Sequence, residues 1–133
     1  MVEWNEELSV NNSQIDKEHQ GFIAIMNELN GNFLSEDAEN ATLKTLDRLT
    51  DYAENHLSNE EQLMRETGYP GAFVHKQRHD EFREKIKDFN NTYRKTGNCS
   101  DAQELLYFLQ IWFIKHIKNE DKWLSPFLEK AET

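Results

Sequence analysis

Apolar residues recur alternately three and four positions apart along four separate stretches of this chain, with polar residues between them. The first stripe is His19, Phe22, Met26, Leu29 and Phe33, and the second is Leu46, Leu49, Ala53, His56, Glu60 and Leu63. A third runs His75, His79, Phe82, Ile86, Phe89 and Tyr93, and a fourth Leu105, Leu109, Trp112 and His116. Residues at these spacings share one face of an α-helix, and a stripe of this kind is the seam by which a helix packs in a bundle. The interruptions agree. Asp16 is the expected N-cap of the first helix, SEDAEN at 35–40 a polar turn, GYPG at 68–71 the stop of the second helix, and TGNCSD the break before the fourth. Ser100 with Gln103 reads as a capping box that opens that last helix. Short connections make sequential helices antiparallel. The pattern therefore predicts an all-α fold, an antiparallel up-down-up-down four-helix bundle. An irregular arm over residues 1–15, with Trp4 packed onto the bundle, precedes it, and a short C-terminal helical segment follows.

Composition changes this picture little. Only 5 Gly and 2 Pro occur in 133 residues, which suits helices and a single domain over 1–133. A formal net charge of -10 argues against nucleic acid and against anionic membrane surfaces, because a phosphate backbone must be met by Lys and Arg. The start, MVEWNEELSV, has neither a basic run nor an apolar one, and no stretch is long enough to cross a bilayer, so a cytoplasmic protein is expected. Cys99 stands alone, which forbids an intrachain disulfide and fits a reducing compartment; it reads as a loop thiol without a role.

The chemistry lies in what interrupts the apolar stripes. His75 and His79, four apart, sit about 40° from one another on a helix face, near enough to reach one ion. Such a pair is a weak signal alone. In an antiparallel bundle, however, the start of helix one (His19), the end of helix two (His56, Glu60), the start of helix three (His75, His79) and the end of helix four (His116) all meet at one end. All 5 histidines thus share one level of the core with a carboxylate. Unpaired buried polar groups cost about 1–3 kcal/mol each, and a metal centre removes the whole penalty. One more acidic ligand is expected in HIKNED. A regular helix favours Glu120, four residues beyond His116, because Asp121 would point roughly 140° away.

The set of His19, HLSNE (His56 to Glu60), HKQRH (His75 to His79) and HIKNED (His116 to Asp121) resembles hemerythrin in its bacterial single-domain form. The likeness extends over nearly the whole chain, through IDKEH, EEQLM, GYP and WFIKHIKNED. It implies a non-haem centre of two iron ions bridged by an oxo or hydroxo group. His75, His79 and His116 would bind one iron and His19 and His56 the other, with Glu60 and Asp121 bridging both. Asp121 in place of Glu120 requires the fourth helix to bulge or unwind between Ile117 and Asp121. Five imidazole nitrogens, four carboxylate oxygens and a single-atom bridge leave one place open on a pair of six-coordinate ions, on the iron with two histidines. The implied function is reversible binding of dioxygen there, as carrier, store or sensor, with nitric oxide and other small molecules as further ligands. The alternative is a di-iron redox enzyme that consumes dioxygen, peroxide or nitric oxide with an external reductase; neither a reductase nor a protein partner is legible. Phe22, Ile23, Trp112 and Phe113 are the candidate pocket walls, and none is an acid or base. Where the family has Trp-Leu-x-x-His, this chain has Trp112 and then Phe113, so pocket size is the point of departure.

Overall fold

Two left-handed glycines and two capping asparagines set where the helices begin and end. The computed structural model describes residues 3–33 and 36–132, with only the backbone described for Cys99 and Glu132. The helices are α1 (Ser13–Asn32), α2 (Ala38–Thr67), α3 (Ala72–Thr96), α4 (Cys99–His116) and α5 (Lys122–Glu132), and a π-helical turn, Ile117–Asp121, joins α4 to α5. Among the described residues there is no strand. Helices α1 to α4 make the predicted bundle, each packing on its neighbour in sequence and α4 closing on α1, while α5 lies against α2. Gly68 ends α2 at φ 68° and Gly97 ends α3 at φ 60°, a backbone region that other residues enter only at a cost.

The predicted stripes form the core. Phe22, Met26, Leu29, Leu46, Leu49, Phe82, Ile86, Leu105 and Leu109 are buried, and each fully buried Leu or Phe contributes about 1.5–3 kcal/mol. Phe33, Leu63, Phe89 and Trp112 are only partly buried against it. At the lower edge of α2, Met64 rather than Leu63 is the residue fully inside.

Four expected boundaries are corrected. Asn12, not Asp16, caps α1: its side chain accepts from Ile15 N at 3.1 Å and donates to Leu128 O at 2.8 Å, tying the helix start to α5. Asp16 lies one turn inside and folds the arm back, accepting from Val10 N at 2.9 Å and Ser9 Oγ at 2.6 Å. In the 35–40 stretch α2 already begins at Ala38, and Ser35 lies outside the described residues. Asn98, not Ser100, caps α4, accepting from Ser100 N at 3.0 Å, so Cys99 belongs to the helix and not to a loop. The arm ends at Asn12 and not at residue 15, because α1 already begins at Ser13; its described residues, from Glu3 on, are irregular except for a 3-10 turn at Glu6–Leu8, with Leu8 and Val10 buried and Trp4 packed on the core.

Candidate metal centre

Each element delivers its polar residue to one end of the bundle because the residue occupies a core position of its stripe. His19 comes from the first turns of α1, His56 and Glu60 from α2, His75 and His79 from the start of α3, and His116 from the last residue of α4. Asp121 arrives by the π-helical turn. Five residues of regular helix would have turned it away from His116, whereas the wider turn over Ile117–Asp121 returns it to the same face. Asp121 is 0% exposed, while Glu120 is at the margin, 3.6 Å from His116 Nδ1. The bulge required by the resemblance is therefore present, and the regular helix that favoured Glu120 is not.

The seven residues form two overlapping clusters that could hold metal ions: Glu60, His75, His79, His116 and Asp121 in one, and His19, His56 and Glu60 in the other. All seven are buried. The carboxylate oxygens are sorted between them. Glu60 Oε1 lies 2.7 Å from His75 Nε2 and 3.3 Å from His79 Nε2, and Asp121 Oδ1 lies 3.1 Å from His75 Nε2 and 3.0 Å from His116 Nε2. Glu60 Oε2 turns instead to His56 Nε2 at 3.2 Å and His19 Nε2 at 3.8 Å, and Asp121 Oδ2 to His19 Nε2 at 3.3 Å. Glu60 thus faces His75, His79 and His116 with one oxygen and His19 and His56 with the other, whereas Asp121 faces His75 and His116 with Oδ1 and His19 alone with Oδ2. His79 Nε2 and His116 Nε2 approach to 3.1 Å, as two donors aimed at a common point do.

Protein groups do not satisfy this arrangement by themselves. His19 Nε2, Glu60 Oε2 and both oxygens of Asp121 are buried without a hydrogen-bond partner. Five imidazoles and two carboxylates suit a pair of divalent or trivalent cations in both donor type and number, and binding them would relieve those atoms. The electrostatics point the same way. Burial opposes ionisation of Glu60 and Asp121, yet the surrounding imidazoles hold both carboxyls below their ordinary range. Burial also pulls the pKa of His56 and His75 down, but hydrogen bonds to Glu18 and Glu60, and to Asp121 and Glu60, outweigh it and raise each to about 9.

A second ring of residues, absent from the sequence reading, orients the imidazoles. Glu18 accepts from His56 Nδ1 at 2.7 Å, and Glu61 from His79 Nδ1 at 2.8 Å. Both carboxylates sit beside a ligand in sequence, a signal that by itself reads as ordinary surface charge. Of the predicted wall residues, Phe22, Trp112 and Phe113 line a small apolar cavity beside the centre together with Ala53, Leu57, Phe82 and the rings of His56 and His116. Ile23 is buried elsewhere in the core and does not line it. The cavity leaves about 10 Å³ to the centre of a water-sized molecule, near the threshold for holding one. Trp112 stacks on His116 with centroids 4.4 Å apart, and Phe113 stands edge-on to His19 at 5.4 Å.

Fold and site together define a four-helix bundle with a buried histidine and carboxylate centre for two metal ions. Residues 10–128 match the family model of the hemerythrin HHE cation binding domain. A bacteriohemerythrin of Clostridium acetobutylicum is 32% identical over 125 residues, 92% of this chain and 97% of the relative. One from Stenotrophomonas maltophilia is 29% identical over 92% of this chain and 78% of its own. A crystal structure of wild-type hemerythrin superposes with a TM-score of 0.86 at 26% identity, covering 97% of this chain and 98% of that one. The chain belongs to the hemerythrin family, whose domain binds a di-iron centre.

Proposed function

We propose that this chain holds two iron ions, with His75, His79 and His116 on one, His19 and His56 on the other, and Glu60 and Asp121 spanning both, and that it binds dioxygen reversibly. The observation that carries this reading is the sorting of the two carboxylates, whose Oε1 and Oδ1 face one group of histidines and whose Oε2 and Oδ2 face the other. When bound, an iron pair would supply the electrons and the Lewis acidity that dioxygen or nitric oxide needs. The protein's own part is to orient and to exclude. Glu18 and Glu61 keep protons on Nδ1 of His56 and His79, so that the Nε2 lone pairs face inward. Phe22, Phe82, Trp112 and Phe113 leave water little room, and apart from the imidazoles of His56 and His116, themselves proposed iron ligands, the cavity wall carries no carboxyl, amine or hydroxyl that would deliver a proton. That favours binding over turnover.

The domain is proposed to span 1–133 and to work in the cytoplasm, in keeping with the lone cysteine. Among the described residues no helix is long and apolar enough to cross a membrane. The test is to load the chain with ferrous iron, admit air, follow the visible absorption and then degas. Bands that appear and vanish reversibly, at two irons per chain, are the expected result. Continuous dioxygen consumption in the presence of a reductant would overturn it in favour of a redox enzyme.

A further inference from the structure

The carboxylates behind the histidines are compensated unequally. On the side with three histidines, Glu120 stands 3.6 Å from His116 Nδ1 with Arg78 Nε 4.0 Å from the same oxygen, and Glu61 accepts from His79 Nδ1 and takes both arms of the Arg83 guanidinium, Nη1 to Oε2 at 2.8 Å and Nη2 to Oε1 at 3.2 Å. Arg83 is shared in turn with Glu54 (Nε to Oε2, 2.8 Å) and Asp80 (Nη1 to Oδ1, 2.8 Å). On the side with two histidines, Glu18 accepts from His56 Nδ1, and its other oxygen meets only neutral amides, Gln14 Nε2 at 2.6 Å and Asn59 Nδ2 at 3.0 Å. Among the described residues no Lys or Arg lies within ion-pairing distance of Glu18.

A carboxylate bonded to the remote nitrogen makes an imidazole a stronger donor to its metal. A bidentate guanidinium on that carboxylate draws the charge back. We propose that this difference sets the two metal positions apart electronically. Glu18 makes the position held by His19 and His56 the more electron-rich, and Arg83, through Glu61, restrains the position held by His75, His79 and His116. Glu18, Glu61 and Arg83 act through histidines and are positioning residues. The inference rests on the di-iron reading above and deepens it: electrons leave first from the position with fewer protein ligands.

The experiment is a redox titration of the iron-loaded protein with dye mediators, resolving two one-electron steps. Glu18→Gln removes the uncompensated charge and raises the lower step; Arg83→Gln releases Glu61 and lowers the upper one. Both variants narrow the gap while moving the mean potential in opposite directions. A threefold to tenfold change in each reduction equilibrium is expected, tenfold being about 59 mV for one electron. Glu54→Gln, at a side chain 57% exposed and so safe for folding, leaves Arg83 more fully on Glu61 and widens the gap. Arg83→Lys keeps the charge and stays nearer to wild type than Arg83→Gln. Steps that move together, or a Glu54→Gln gap that does not widen, overturn the inference. Iron content on the same samples separates the two ideas. Fewer than two irons per wild-type chain overturns the di-iron reading and this inference with it; two irons with a fixed gap overturns this inference alone.

Discussion

Phe113 marks where this chain departs from the family's pattern, and its replacement by Leu offers a direct reading of the pocket. The ring is 3% exposed, 4.7 Å from Phe22 and edge-on to His19. Phe113→Leu empties roughly 25 Å³, which at about 24 cal/mol per Å³ of unrelaxed cavity is about 0.6 kcal/mol. Loss of the aromatic contact with Phe22 adds about 0.5–1.5 kcal/mol. The variant should therefore lose about 1–2 kcal/mol of unfolding free energy in urea at equal iron content. The kinetic effect follows from the same volume, because it adds to a cavity that now leaves only about 10 Å³ to the centre of a water-sized molecule. Dioxygen and water both gain room beside His56, and a barrier lowered by about 1 kcal/mol corresponds to about fivefold in rate. Stopped-flow measurement of dioxygen release, and the slow loss of the oxygenated spectrum in air, should each be about fivefold faster in Phe113→Leu. Identical kinetics in the two proteins, with the expected stability loss, would remove Phe113 from the pocket and leave it a packing residue.

The π-helical turn predicts that Asp121→Ala lowers iron content below two per chain by elemental analysis while Glu120→Ala retains both ions; equal losses would contradict the register at Ile117–Asp121. In the metal-free chain His56 and His75 titrate near 9, raised from 6.5 despite burial by their carboxylate partners. Their contribution to metal-free stability is therefore complete below pH 6.5 and lost as pH rises through 9. Metal must displace those protons, so calorimetry in buffers of differing ionisation enthalpy should show proton release at pH 7 that shrinks above 9, with affinity rising; a release unchanged over that range would refute the assignment. Two glycines of α1 should respond with opposite signs. Gly21→Ala places a Cβ 2.1 Å from the Tyr52 hydroxyl, which donates to Glu18 O, and should lose about 1 kcal/mol, whereas Gly31→Ala meets nothing and should gain about 0.5–1 kcal/mol. Thermal melts decide it, and two shifts of the same sign would count against the packing at Gly21.

What the sequence revealed and what it hid have separate physical causes. The bundle was legible because the 3.6-residue period of the stripes survives in the spacing of Phe22, Met26 and Leu29 or Phe82 and Ile86, and the histidines were legible because they occupy positions of those same stripes. Asp121 was not, since a π-helical turn leaves no mark in the apolar pattern; only the family resemblance pointed to it. Asp16 and Asn12 could both cap a helix, and what selects Asn12 is its bond to Leu128 O, 116 residues away. Ser100 lost to Asn98 for a local reason, the Asn98 side chain reaching Ser100 N first. Ile23 follows Phe22 by about 100° of turn, which carries it round the helix from the cavity. Glu18 and Glu61 stayed hidden because a carboxylate one residue from a ligand is chemically the same in sequence whether it faces water or an imidazole.

The metal-free centre is only partly balanced, and the imbalance is not shared evenly. On the side with three histidines Glu60 Oε1 has a partner in His75 Nε2 at 2.7 Å, so a proton there stands where an ion would otherwise hold the two together. Asp121 Oδ1 on that side lacks a hydrogen bond, and on the other side Glu60 Oε2, Asp121 Oδ2 and His19 Nε2 all lack one. A buried group left unsatisfied costs about 1–3 kcal/mol, so under the proposed assignment an ion held by His19 and His56 would relieve more atoms than one held by the other three histidines. That position also has fewer protein donors, and Glu18, anchored by Gln14 and Asn59, offsets the shortage by strengthening His56. More of the unmet polar demand thus lies on the side with two histidines than on the side with three. A centre meant only to brace four helices would gain by satisfying every donor and acceptor; this one leaves buried imidazole and carboxylate atoms unmet among five histidines, as a site built to receive cations does.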